Sequence, residues 1–341
     1  MNADPPLWPR AETAPRTQPG DIAAEGYFVV LNTASGKKAG TLSVEELEER
    51  IAALPGPTTV RRAKSGRDLA RLVKEATQSD AGTIVAAGGD GTICAVATAL
   101  SGSGRRMGVV PMGTFNFFAR GLGIPEDVEG AVRVLSEGRP VPVTVGEING
   151  KIFLNNASLG AYPVILDQRE GVYRRWGRSR LAAYWSVLRA LVTVHRPLWM
   201  KITVDGKALR RRSPMAFVAM SGYQLEQYEL DGADAVRDGR FALYVAPDTG
   251  RFGMILQAVK LAWRRLRPGR DVELFTGREI VIETSRKRRL VARDGEKEEM
   301  RSPFTFKALQ GALTVLAPQD TPMDASRPAD TRDKTENRPT T

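Results

Sequence analysis

Between Tyr27 and Glu137 short apolar runs alternate with stretches of helical period, and this alternation limits the fold more than any other feature of the chain. Tyr27-Phe28-Val29-Val30-Leu31, Thr83-Ile84-Val85-Ala86-Ala87 and Met107-Gly108-Val109-Val110-Pro111 are short, apolar and bounded by turn residues, so they read as buried strands. Ser43 to Leu54, Arg67 to Ala76, Ile93 to Leu100 and Val128 to Glu137 read as helices. The first is opened by Ser43 as N-cap, with Glu46 at the reach-back position of a capping box. Buried strands separated by helices pair in parallel, with helices on both faces of the sheet.

From about Val141 the texture changes. Strand-like pieces at Val141 to Ile148, Lys151 to Asn156, Trp199 to Val204, Met215 to Met220, Phe241 to Ala246, Glu279 to Glu283 and Arg289 to Val291 mostly follow one another without helices between them. That pattern predicts an antiparallel sheet or sandwich. Two helical patterns interrupt it, at about Arg178 to Val194 and Gly253 to Arg267, and Gly311 to Ala317 is a last strand placed to return to the first domain. The expected fold is therefore α/β: an N-terminal doubly wound parallel-sheet nucleotide-binding domain at residues 26–140, then a C-terminal antiparallel β-sandwich domain at 141–304, with 305–318 returning to the first. Residues 1–25 and 319–341, rich in Pro, Thr, Asp and Arg, read as flexible tails.

The residue inventory narrows the chemistry. One cysteine, Cys94, forms no internal disulfide, and one histidine, His195, excludes a Cys/His metal cluster. Activation of Ser or Cys by a histidine is open only to His195, which reads as a helix end, while Cys94 reads as a small buried residue of a helix. Acid-base work falls to carboxylates. Met1 to Gly20 holds no continuous apolar stretch of the signal-peptide kind, and the most apolar window, Leu181 to Val194, is broken by Arg189 and short of the ~20 residues that span a bilayer. A cytoplasmic protein is expected. The 50 Lys plus Arg against 39 Asp plus Glu leave a net charge of +11, suited to nucleic acid, an anionic membrane surface or phosphorylated substrates. No nucleic-acid-binding motif accompanies the charge, so no nucleic-acid partner is expected.

Three short segments carry candidate chemistry. Gly88-Gly89-Asp90-Gly91-Thr92 lies between a buried strand and a helix, where glycines admit a ligand to the backbone and a helix N-terminus favours phosphate. It is neither a Walker A loop nor a Rossmann fingerprint. The next strand ends in a second glycine-bearing loop, Gly113-Thr114-Phe115-Asn116, running on to Pro125, and loops at the ends of successive strands line one cleft. Asp294-Gly295-Glu296 follows Leu290-Val291-Ala292 and sets two carboxylates on a tight bend.

With Asn32-Thr33-Ala34-Ser35-Gly36, Asn156-Ala157-Ser158-Leu159-Gly160 and Asp238-Gly239, these pieces make six in one order, and the chain resembles the diacylglycerol kinase catalytic-domain family over about Gly26 to Ala317. The family includes bacterial soluble lipid kinases and is related to sphingosine and ceramide kinases. The resemblance implies an ATP-binding α/β domain, a β-sandwich domain for the lipid acceptor, and Mg2+-dependent transfer of the γ-phosphoryl group to a lipid hydroxyl. It implies Asn32 and Ser35 near the nucleotide, Gly88, Gly89, Gly91 and Thr92 around its phosphates, and Gly113, Thr114 and Asn116 across the cleft. Asp294 would be the general base, assisted by Glu296 through metal or water, with Asp90 the second candidate for base or metal ligand. Asp238 is the residue it leaves to a further metal site.

The chain also departs from the family. Phe117 stands where Asp usually follows the loop Asn, Thr33 replaces a proline, Ser221-Gly222-Tyr223 replaces an Asn-Gly segment, and Arg237-Asp238 replaces a double Asp. The acceptor is expected to be diacylglycerol-like, with ceramide, a sphingoid base or a catalytically silent lipid-binding role as alternatives, and the related NAD kinases share only the Gly-Gly-Asp-Gly-Thr loop. Arg174 to Arg180 around Trp176, and Lys260 to Arg267 around Trp263, suit the headgroup region of an anionic membrane, so peripheral association with its inner face is expected; the alternative is a solvated basic face. A homodimer is compatible with the family.

Overall fold

The computed structural model describes residues 24–33, 44–160, 197–250, 253, 256, 260 and 271–321. In the N-terminal half the elements run β1 (Tyr27–Asn32), α1 (Val44–Ala52), β2 (Thr58–Ala63), α2 (Gly66–Gln78), β3 (Thr83–Gly88), α3 (Asp90–Leu100), β4 (Arg106–Pro111), α4 (Phe117–Gly121) and α5 (Val128–Glu137). β2, β1, β3 and β4 pair in parallel in that order, and the apolar runs of β1, β3 and β4 are buried almost throughout. α1 packs with α5 and α2 with α3, as in a doubly wound sheet. Side chains fix where helices begin: Ser65 Oγ accepts from Asp68 N at the head of α2, and Asp127 Oδ1 from Gly130 N at the head of α5.

The second half continues with β5 (Arg139–Ile148), β6 (Lys151–Phe153), β7 (Asn156–Gly160), β8 (Leu198–Val204), β9 (Lys207–Ser213), β10 (Met215–Ala219), α6 (Gly222–Gln227), α7 (Ala233–Arg237), β11 (Phe241–Val245), β12 (Glu273–Gly277), β13 (Glu279–Thr284), β14 (Arg288–Arg293), β15 (Glu296–Arg301) and β16 (Phe304–Ala317). A six-stranded antiparallel sheet, β12-β11-β10-β7-β14-β15, faces the second half of the larger sheet. Between them lies an apolar core centred on Phe153, Phe241 and Phe306, whose ring centroids are 5.8–6.3 Å apart.

β16 joins the two halves. β5 runs along one of its edges; along the other its first residues pair antiparallel with β13 and its last, Thr314 and Val315, pair parallel with Arg106 and Met107 of β4. The result is one ten-stranded sheet, parallel at one end and antiparallel at the other. Lys151 to Asn156, expected as one strand, is two strands separated at Leu154-Asn155, for a reason that belongs to the site. Of the two helical patterns in this half, 178–194 lies outside the described residues, and in the other Gly253, Leu256 and Lys260 are described and helical. Residues 1–23 and 322–341, most of the expected tails, lie outside as well. Among the described residues no helix is long and apolar enough to cross a membrane.

Candidate active site

β3 ends at Gly88, Gly89 is the extended N-cap residue, and Asp90 already belongs to α3. Three of the five residues of Gly88–Thr92 thus belong to the first helical turn rather than to a loop before it. No side chain caps this turn, which leaves the positive end of the helix to a ligand. A Cβ on Gly88 would lie 2.5 Å from Thr92 Oγ1, so the strand packs directly onto the buried Thr92, whose hydroxyl takes a hydrogen bond from Asn32 Nδ2 at 2.8 Å. A Cβ on Gly113 would lie 3.0 Å from the Gly89 Cα and 2.7 Å from Asn116 Oδ1. The two glycine segments therefore form one floor.

Asn116 holds that floor together. It is buried with a left-handed backbone (φ 50°); its Oδ1 accepts from Gly113 N at 2.9 Å, and its Nδ2 donates to Gly113 O and Glu126 Oε1. Its own amide donates to Asp90 Oδ2 at 3.1 Å. Asn116 thus spends its side chain on bracing the loop, Thr114 is exposed at the loop tip, and Ser35 lies outside the described residues. The brace Glu126 sits ten residues from Asn116, with no local sequence pattern to reveal it.

Asp294 and Gly295 form the two-residue turn of the β14–β15 hairpin, at φ 46° and 86°. Two successive left-handed residues match the twist of a tight hairpin, and Asp tolerates that region better than most side chains. Asp294 is half-buried as a residue and its carboxylate turns back into the sheet: Oδ2 accepts from Leu154 N at 2.7 Å, and Oδ1 from Asn155 N at 2.8 Å and Asn156 N at 3.1 Å. These bonds take the amides that a continuous strand would pair, which is why β6 and β7 are separate. Arg293 fastens the hairpin to β6 and α3 by donating to Ile152 O and standing 3.7 Å from Cys94 Sγ.

Both aspartates are held above the usual carboxylate range. For Asp90 burial is the main cause, the Asn116 amide opposes it, and the Asp294 charge adds to it. For Asp294 burial again leads, opposed by the three amides and the Cys94 thiol. Asp90 Oδ1 is buried without a partner. Burial also pushes the Cys94 thiol up, so it stays protonated.

A cavity of about 400 Å³ opens over the floor, lined by Asn32, Gly89, Gly91, Thr92 and Glu296, with Leu69 and Ala70 of α2 as its apolar wall. A Cβ on Gly91 would meet only Glu296 Oε1, at 3.9 Å, so this glycine leaves room rather than avoiding protein. Sequence reasoning missed the α2 wall, whose residues look like any helix face. Asp238, read as a metal ligand, accepts from Arg240 Nη2 at 3.1 Å; among the described residues no group of three His, Cys, Asp or Glu side chains is arranged to hold a metal. Arg237 pairs with Asp234 at 2.5 Å and with Glu226.

Residues 26–148 match the diacylglycerol kinase catalytic domain, and residues 168–317 the YegS C-terminal NAD kinase beta sandwich-like domain. The chain is similar to a probable lipid kinase YegS-like of Cronobacter sakazakii, 36% identical over 141 residues that cover 40% of this chain and 46% of that one. It is also similar to a diacylglycerol kinase of Bacillus subtilis, 28% identical over 220 residues, 64% of this chain and 72% of the relative. The first of these matches spans about half the relative's length. The crystal structure of a diacylglycerol kinase from Bacillus anthracis superposes with a TM-score of 0.63 at 20% identity, over 87% of this chain and 98% of that one, a likeness of fold.

Proposed function

We propose that this chain, whose residues 26–148 match the diacylglycerol kinase catalytic domain and 168–317 the YegS C-terminal domain, is a lipid kinase of that family that uses ATP and Mg2+ to phosphorylate a lipid hydroxyl. The observation that carries the reading is the opposition, in one cleft, of an uncapped helix N-terminus on a glycine floor and the carboxylate turn Asp294-Gly295-Glu296. Gly89, Gly91 and Thr92 would hold the triphosphate, and Leu69 and Ala70 would face the adenine ring. The unpartnered Oδ1 of Asp90 fits a divalent cation brought in by the triphosphate, and Mg2+ supplies neutralisation of charge on the phosphoryl oxygens when bound.

Asp294 is the general base. Its raised pKa strengthens it as a proton acceptor, while three amides fix the carboxylate in place. The acceptor O–H proton passes to Asp294 as the oxygen–phosphorus bond forms and the bond from the γ-phosphorus to its bridging oxygen breaks, releasing ADP. Glu296, in the wall of the nucleotide cavity, orients water or metal there. The acceptor is diacylglycerol-like, or a ceramide or sphingoid base.

A lipid acceptor requires contact with a membrane surface. Arg174 to Arg180 lies outside the described residues, but Trp199, on the strand that follows that segment, is 62% exposed. An exposed tryptophan favours the headgroup region of a membrane. The test is transfer of labelled γ-phosphate from ATP with Mg2+ to diacylglycerol, monoacylglycerol, ceramide, sphingosine and phosphatidylglycerol in mixed micelles, with Asp294→Asn in parallel. A labelled lipid that vanishes in the variant upholds the reading; no labelled lipid overturns it.

A further inference from the structure

The phosphate floor is steadied from outside the nucleotide cavity. Asn116, which braces Gly113 and gives its amide to Asp90, is 3% exposed, and its Nδ2 divides its N–H groups between Gly113 O at 3.2 Å and Glu126 Oε1 at 2.9 Å. A buried amide N–H needs its acceptor in place. Glu126 does not keep that place alone, because its side chain is 41% exposed and a solvated carboxylate has several rotamers open to it.

Arg120 supplies the constraint. Its Nη2 pairs with Glu126 Oε2, the oxygen that Asn116 leaves free, and its Nη1 donates to Tyr223 Oη at 3.1 Å. The guanidinium carbon also stands 5.9 Å from the centroid of the Tyr223 ring, within reach of a cation–π attraction. A planar guanidinium holds two partners at fixed angles, which a single ammonium does not. Tyr223 is on α6 of the second half, packed so close to α4 that a Cβ on Gly121 would lie 3.6 Å from the Tyr223 Cβ. None of Tyr223, Arg120 and Glu126 lines the nucleotide cavity.

Resting on the ATP-binding reading, we infer that Arg120 is a positioning residue for the triphosphate site: anchored by Tyr223, it fixes Glu126, Glu126 fixes Asn116, and Asn116 holds the Gly113 loop against Gly89 and Asp90. The bonds form a chain from the second half of the molecule to the phosphate floor. Cutting a chain at two links costs no more than cutting it at one, whereas independent contacts, or a general attraction of the Arg120 charge for ATP, would add.

The experiment measures the dissociation constant of ATP with Mg2+ by calorimetry for the full chain and for Arg120→Met, Glu126→Ala and the double variant. Each single substitution is expected to weaken binding about fivefold, and the double variant to bind no more weakly than the weaker single. Melting temperatures should stay close to that of the wild type, since a partly exposed ion pair contributes little to stability. In turnover the loss should appear in the KM for ATP with kcat kept, as for a contact that holds ground state and transition state alike. An unchanged constant in Arg120→Met, losses that multiply to about 25-fold in the double variant, or a fall in kcat in place of a rise in KM overturns the inference. If the wild type binds no ATP, the kinase reading fails and the chain of bonds is judged by hydrogen exchange at the Gly113 and Asn116 amides. Faster exchange in Arg120→Met, no faster still in the double variant, upholds it; unchanged exchange overturns it.

Discussion

Asp90 carries a conflict that a single substitution exposes. One of its oxygens takes the Asn116 amide, while the other is buried with no partner, near a second carboxylate. A carboxyl whose folded pKa is raised favours folding while protonated, so its contribution is full below the unfolded value and is lost as pH rises through the folded value. At neutral pH Asp90 therefore opposes folding. Asp90→Asn is expected to melt at a higher temperature than wild type at pH 7, with the gap shrinking toward pH 4, and to lose phosphoryl transfer; melts at both pH values check the sign. Asp294→Asn behaves differently because all three amides use that carboxylate. The new NH2 faces a donor in place of an acceptor, which costs about 1–3 kcal/mol. Loss of the base lowers transfer by about 10²- to 10⁴-fold, so a variant with unchanged melting or unchanged turnover contradicts the role given to Asp294.

Among elements, the floor of the cleft separates glycines by what they do. Gly113→Ala drives a methyl into the Gly89 backbone and is expected to lower the melting temperature and the activity together. Gly91→Ala meets only Glu296 Oε1, at an unstrained 3.9 Å, in the first turn of α3, where alanine favours the helix by up to about 1 kcal/mol. It should fold at least as well as wild type and yet raise the KM for ATP at least tenfold; equal ATP kinetics would remove Gly91 from the phosphate site. At this scale the sequence was readable wherever period and burial agree. α5 has the predicted bounds, and β1, β3 and β4 lie within one residue of theirs because both faces of these strands are covered. Thr58–Ala63, Lys207–Ser213 and Glu296–Arg301 escaped notice because each is a charged or half-exposed strand at an end of a sheet. The break after Phe153 was hidden for a different reason: its cause is a carboxylate some 140 residues away.

For the molecule as a whole, the two domain matches divide the chain between residues 148 and 168, but the hydrogen bonding does not. β16 belongs by sequence to the second match, and its last residues complete the parallel sheet of the first beside β4. The first turn of α3 and the hairpin bearing Asp294 are held in register partly through this strand, since β5, β13 and β4 all pair with it. Sequence patterning recognised Gly311 to Ala317 as a returning strand but missed its first seven residues. Their alternation of buried Phe304 and Phe306 with the half-buried Thr305 and exposed Lys307 is also that of an ordinary edge strand. Removing β16 would expose Met107 of β4 and strip β5 of its longest partner among the described residues. The two halves are therefore expected to unfold together. Native-state hydrogen exchange should give the slowest amides of β4, β5 and β13 one common opening free energy. Opening of β13 at markedly lower free energy than β4 would mean that the halves are independent, and that Asp294 and the phosphate floor are aligned by ligand rather than by the fold.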